Sequence, residues 1–266
     1  MPTLRPGSHR ARRGGGPRAD GTQRWQRNTV LEVDALLAFA ASLVTLRLSG
    51  DLVRRYRRRR APELALWAAG LSAYALAAAA LALGAAAGWS DAVFRLYYLG
   101  GALLTAALLG AGSLALVGRR WITRVVLVYV GLAIGVALAV PLHGDISGTS
   151  IPEAQDVLDL WPARLLAIVG NSVGTLVVVA VAIVTFRGRP LGNALILAGI
   201  AVAGIGSGLA GLGIGALAPA IMLAALLLFA GFVAPTLPKP HGEKQRGDAD
   251  RERRLEDRPG NSPVGD

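Results

Sequence analysis

Charge is missing from five long stretches of this chain, and that absence limits what it can fold into. No Asp, Glu, Lys or Arg occurs from Leu64 to Ser90, Leu96 to Gly118, Val125 to Leu142, Leu165 to Phe186 or Pro190 to Pro238. A helix that crosses a bilayer needs about 20 mostly apolar residues, because the hydrocarbon core is about 30 Å thick and each residue rises about 1.5 Å. Each of the first four runs supplies one such helix. The fifth would be roughly 70 Å long as a single rod, so it must fold back. Gly206, Gly208, Gly211, Gly213 and Gly215, with Pro219 beyond them, mark the turn. Glycine relaxes the backbone there, and proline is tolerated in the first turn of the next helix.

A shorter apolar segment, Ala35 to Leu46, precedes these runs. Arg47 at its end can reach the headgroups and pair with Asp51 one turn on, while Glu32 and Asp34 fall at the opposite interface. The segment reads as one more crossing; the alternative is an amphipathic stretch lying on the surface. The expected fold class is therefore all-α, a polytopic transmembrane helical bundle over 31–236 with seven spans, or six as the alternative. The spans are expected at about 33–50, 64–87, 94–117, 124–142, 164–186, 192–210 and 216–235. Residues 1–30 read as a disordered basic tail and 237–266 as a disordered mixed-charge tail.

The formal net charge of +11 raises the question of nucleic-acid binding. The position of the arginines answers it: they flank hydrophobic spans, where anionic lipid headgroups are the natural partner. The lipid bilayer is thus the expected partner, possession of a membrane-protein partner is compatible with it, and nucleic acid is not expected. Arg54, Arg55 and Arg57 to Arg60 separate the first and second spans, Arg119, Arg120 and Arg124 the third and fourth, and Arg187 and Arg189 the fifth and sixth. The intervening loops carry Asp91, or Asp145, Glu153, Asp156 and Asp159, instead. By the positive-inside rule the basic loops and the C-terminus are cytoplasmic, in an inner (plasma) membrane. Seven spans then place the N-terminus outside, against the pull of Arg5, Arg10, Arg12, Arg13, Arg18, Arg24 and Arg27. Either the first segment does not cross, or 1–29 is an over-extended start with translation beginning near Val30.

Ionisable groups inside a membrane are costly and usually functional. No lysine lies in any span and no carboxylate sits mid-span, so a retinal Schiff base and a conventional carboxylate proton relay both lack their central residue. The remaining polar groups gather toward the acidic loops. The candidate ligand-binding residues are Asp91, Arg95, Tyr97, Tyr98, His143, Arg164 and Asn171, forming an extracytoplasmic mouth in which the acidic residues hold Arg95 and Arg164. The competing reading is a helix start at Asp91 plus an aromatic belt, with Trp89 and Trp161 at the interface. Deeper lie Tyr74, Thr105, Asn171, Ser172, Thr175 and Ser207, for which interhelical hydrogen bonds are the plainer account and ligand contact the sharper one. Four-residue glycine spacings (Gly84 and Gly88, Gly131 and Gly135, Gly170 and Gly174, Gly204 and Gly208) predict close helix packing. With no cysteine, three scattered histidines and no phosphate-binding loop, no catalytic residues, metal site or cofactor are expected.

The stretch Gly88-Trp89-Ser90, followed by Phe94-Arg95-Leu96-Tyr97-Tyr98-Leu99-Gly100-Gly101-Ala102-Leu103-Leu104, resembles a segment of uncharacterised actinobacterial multi-span membrane proteins. The resemblance covers one helix and its preceding turn, and implies no particular activity. The same helix is similar to the third helix of microbial rhodopsins at Arg95, Tyr97 and Thr105, without the acidic residue or the retinal lysine. That likeness implies a seven-helix arrangement and nothing about function. Two functional readings follow. One is a non-enzymatic sensor, scaffold or complex subunit. The other is a small-molecule transporter or permease, for which Leu99 to Leu103 echoing Leu191 to Leu195 is a weak repeat signal.

Overall fold

A computed structural model describes residues 19–119, 121–144, 146–211 and 217–234. Every regular element among them is helical. In chain order these are α1 (Ala19–Arg59), α2 (Pro62–Ala87), α3 (Asp91–Tyr98), a π-helical stretch (Leu99–Thr105), α4 (Ala106–Leu116), α5 (Ile122–Ala139), the single turn α6 (Ala154–Val157), a kinked turn (Leu160–Arg164), α7 (Leu165–Val184), a 3-10 turn (Phe186–Gly188), α8 (Pro190–Gly211) and α9 (Leu217–Val233). The starts follow local chemistry. Pro62 stands in the first turn of α2, where its missing N–H costs nothing, with Glu63 beside it. The Ser90 hydroxyl accepts from the Val93 N–H to cap α3. Gly88 ends α2 at φ +95°.

Among the described residues, six helical rods are long and apolar enough to cross a membrane: Glu32–Arg59, Pro62–Ala87, Asp91–Leu116, Ile122–Ala139, Leu160–Val184 and Pro190–Leu209. The seventh apolar helix, Leu217–Val233, is shorter at 17 residues. Large aliphatic side chains stand out from the bundle, with Val128 74%, Leu138 70% and Val184 77% exposed. A water-facing surface rarely carries such a coat, whereas lipid tails accept it at no cost.

α1 joins the bundle instead of lying on it. Ala38, Ala41, Thr45, Leu48, Ser49 and Leu52 are buried against α2 and α9, and the Ser49 hydroxyl bonds to the Ala68 carbonyl and to Ser72, both at 2.8 Å. Its end is anchored as the spacing predicts: Asp51 faces Arg47 at 3.9 Å and also takes a hydrogen bond from Arg54. The helix begins at Ala19, within the stretch read as a disordered tail. The remainder of that tail, the C-terminal tail and the glycine-rich turn at 212–216 lie outside the described residues.

α2 is the central helix. It packs on α1, α3, the π-helical stretch and α4; α4 packs on α7, and α9 runs between α1 and α8. Two crossings depend on glycine. At α4 with α7, a methyl group on Gly110 would stand 2.7 Å from the Gly174 carbonyl, and one on Gly174 would strike the Ala106 carbonyl. Gly100 sits equally close to α2, with the Ala73 carbonyl 2.5 Å from where its methyl group would be. Of the glycine pairs singled out by spacing, Gly170 and Gly174 thus serve packing, and Gly84 lies under the Trp89 ring. Gly131, Gly135, Gly204 and Gly208 meet nothing within 4 Å.

This contrast is testable. Gly174→Val should lower the unfolding free energy in detergent by about 1–3 kcal/mol through overpacking, while Gly135→Val should stay within about 0.5 kcal/mol of the parent. Equal tolerance at both positions would mean that α4 and α7 do not cross as described.

Candidate functional site

The π-helical stretch at Leu99–Thr105 organises the interior. A wider turn detaches carbonyls from their usual i+4 donors, and in hydrocarbon each must find another. Three side chains supply them. Thr105 donates back to the Gly100 carbonyl at 2.7 Å. The Asn171 amide, from α7, donates to the Ala102 carbonyl at 3.0 Å. The Tyr129 hydroxyl, from α5, donates to the Leu103 carbonyl at 2.8 Å. The interhelical account of Asn171 is therefore the one the geometry carries. Its amide nitrogen is spent on structure and its amide oxygen is left over.

Beside this stretch lies a cavity of about 550 Å³. Its walls come from α2 (Tyr74, Ala77, Ala78), α3 (Phe94, Tyr97, Tyr98), the π-helical stretch (Gly101, Ala102, Thr105), α4 (Ala106, Leu109), α7 (Asn171, Thr175, Val178), α8 (Gly199, Ile200, Ala203, Gly204, Ser207) and α9 (Leu217, Ile221, Leu228). Ile151, Pro152 and Ala154 cover its acidic-loop end. Tyr74 spends its hydroxyl on the Ile221 carbonyl at 2.8 Å, tying α2 to α9 across the floor. Among the described residues, the hydroxyls of Tyr97, Tyr98, Thr175 and Ser207 have no protein partner. Among the described residues, no Asp, Glu, Lys, Arg or His lines the space.

Three of the seven residues singled out from sequence, Tyr97, Tyr98 and Asn171, meet in this cavity. Tyr98 stacks on Phe94 (centroids 6.0 Å, 20°), and Tyr97 sets its edge against Trp89 (5.4 Å, 74°). The other four lie outside it. Asp91 is exposed in the first turn of α3. His143 is exposed on the loop, 3.9 Å from Asp159. Arg164 is half-buried at the foot of α7, and among the described residues no carboxylate reaches it within ion-pair distance.

Arg95 departs most from expectation. It is not held by acidic residues: its guanidinium donates to the Ala137 carbonyl at 2.6 Å and the Leu138 carbonyl at 3.3 Å, at the C-terminal end of α5. Those carbonyls lack intrahelical donors and carry the negative end of the helix dipole, so a cation there stabilises the end of α5. Trp89 also departs from its expected place in an interfacial belt. Its side chain is buried over Gly84 and its backbone N–H holds the loop by donating to the Gly148 carbonyl at 2.8 Å; the residue is 5% exposed, whereas Trp161 is 73% exposed.

Five of the six deep polar residues, Tyr74, Thr105, Asn171, Thr175 and Ser207, line the one cavity; Ser172 is exposed elsewhere. Sequence reading found these residues through their cost in lipid but could not show that they converge. The cover at Ile151 and Pro152 carries no signal of this kind.

Comparison with protein-family models, with curated proteins and with solved structures finds no match to this chain.

The carbonyl–donor pairs around Leu99–Thr105 should behave as a unit. Asn171→Ala and Tyr129→Phe are each expected to cost about 1 kcal/mol of unfolding free energy in detergent. Because both bind adjacent carbonyls, the double variant should differ from their sum by about 0.5 kcal/mol or more. Two neutral single variants would show that the widened turn satisfies its carbonyls in some other way.

Proposed function

We propose that this chain is a multi-pass inner-membrane protein that binds a small, uncharged, mainly apolar molecule inside its helical bundle. In this reading it acts as a non-enzymatic sensor or subunit of a membrane complex. The observation that carries the reading is the cavity between Tyr74, Tyr97, Asn171 and Ser207. Its size falls within the range of about 300–1,000 Å³ typical of small-molecule sites, and its walls are aliphatic and aromatic with a few polar groups. An ionised ligand would be desolvated there with no counter-charge, at a cost of several kcal/mol. A neutral molecule offering a hydroxyl or amide can instead engage the spare hydroxyls and the Asn171 oxygen.

The same reading places the acidic loop outside and the arginine-bearing loops and C-terminus in the cytoplasm. Arg54 to Arg60, Arg119 and Arg124, and Arg187 and Arg189 all fall at one end of the bundle, as the positive-inside rule requires. α9, at about 25 Å, completes a seventh span within the shorter limit for such helices. Ile151 and Pro152 then line the ligand site at its extracytoplasmic end.

The test is binding of the neutral fluorophore 1-aminoanthracene to the protein in lipid nanodiscs. A saturable rise in fluorescence is expected. It should fall at least tenfold in apparent affinity in Ala203→Phe, which fills the cavity from α8 while leaving the donors to the π-helical stretch in place. Saturable binding that the variant leaves unchanged would place the dye elsewhere and remove the support for an internal ligand site.

A further inference from the structure

The cavity does not stand alone. A second space of about 90 Å³ lies toward the arginine end of the bundle, with Ser113, Thr185, Arg189 and Asn193 among its lining residues. Four residues line both spaces: Leu109 from α4, Val178 from α7, Ile200 from α8 and Leu228 from α9. Each comes from a different helix, three are buried and Ile200 is partly so, and all four are aliphatic. They form a ring that closes the larger cavity toward the smaller one.

From this juxtaposition we infer that the two spaces are the halves of one conduit, and that Leu109, Val178, Ile200 and Leu228 are its closed gate. The inference rests on the cavity reading above and adds passage across the membrane to it. A dry aliphatic constriction blocks water and ions, which would have to shed hydration with nothing to replace it. The same ring is a small barrier to an uncharged, mainly apolar solute once the helices part. The solute class the larger cavity fits is thus the class that the ring would let through.

The smaller space is lined by a charged residue, Arg189, where the larger has none, and its polar groups sit on the parts that would move. Asn193 donates to the Ala182 carbonyl at 3.1 Å and the Thr185 hydroxyl at 3.0 Å, joining the start of α8 to the end of α7. Arg189 extends one guanidinium nitrogen to the carbonyls of Gly231 and Ala234 at 3.2 and 3.0 Å, joining the same turn to the end of α9. Its Nε is buried without a partner among the described residues. The α7–α8 turn and α9 are therefore fastened at the arginine end, beneath the ring. α8 packs chiefly on α9 and only sparsely on α7, so the seam between α7 and α8 is where the ring can open.

The chain contains no cysteine, so single thiols introduced into the full-length protein report without background. The probe is a membrane-impermeant, uncharged reagent, a glucose-bearing methanethiosulfonate, applied to intact spheroplasts or to inverted membrane vesicles. Thr175→Cys, in the larger cavity, should react only from the acidic-loop face, and Ser113→Cys, in the smaller space, only from the arginine face. Adding Leu109→Ala with Leu228→Ala should raise the rate at Thr175→Cys from the arginine face at least tenfold. Ile200→Ala with Val178→Ala serves as a second opening should the first pair fail to fold. A Thr175→Cys thiol reached from the acidic-loop face but not across either widened ring would overturn the conduit and leave the cavity standing. Reaction from both faces with the ring intact would overturn the gate. A thiol reached from neither face in any background would overturn the cavity itself, and the conduit with it.

Discussion

In hydrocarbon, a carbonyl that leaves its helical partner has no water to turn to, and the interior of this protein is arranged around that constraint. At Leu99–Thr105 the helix widens and the carbonyls of Gly100, Ala102 and Leu103 take donors from Thr105, Asn171 and Tyr129. Two of those donors arrive from other helices. Settling the backbone therefore also fixes where α5 and α7 stand against the third rod. Gly100 permits the close approach to α2, and Gly110 with Gly174 permits the crossing of α4 and α7. The same widening leaves space beside the turn that straight, evenly packed helices would fill, and the cavity occupies it.

Other strained termini are settled in the same way. Arg95 caps the end of α5 and Arg189 the end of α9, each by donating to carbonyls that the helix itself cannot satisfy. Both arginines sit near opposite ends of the bundle, where their charge can be partly solvated. The cations are used at the rims, and the interior polarity is confined to hydroxyls and one amide.

Much of the fold was legible from charge-free runs alone, since lipid excludes charge over a fixed thickness and the run lengths map directly onto helices. The return of the chain within Pro190 to Pro238 followed from length in the same way. The deep polar residues were legible too, because a hydroxyl or amide in a span costs energy and stands out against alanine and leucine. What they surround was not, because convergence of Tyr74 on α2, Asn171 on α7 and Ser207 on α8 is a tertiary fact. The acidic residues were expected to hold Arg95, but the end of α5 offered it the unsatisfied carbonyls of Ala137 and Leu138. Trp89 and Trp161 look alike in sequence. Only the packing of the loop over Gly84 separates a core ring from an exposed one. The π-helical stretch was hidden for a related reason: it lies inside an unbroken charge-free run, and nothing local marks a widened turn.

The central claim is that the widened third rod holds open a ligand-sized space within a lipid-embedded bundle. Electron cryo-microscopy of the protein in nanodiscs, at a resolution that shows side chains, tests it most directly. The account expects helix density widened at Leu99–Thr105, Asn171 directed at the Ala102 carbonyl, and an open or non-protein-filled volume between Asn171, Tyr97 and Ser207. A regular α-helix through Thr105, with α7 and α8 closed together so that Thr175 and Ser207 pack on each other, would contradict it.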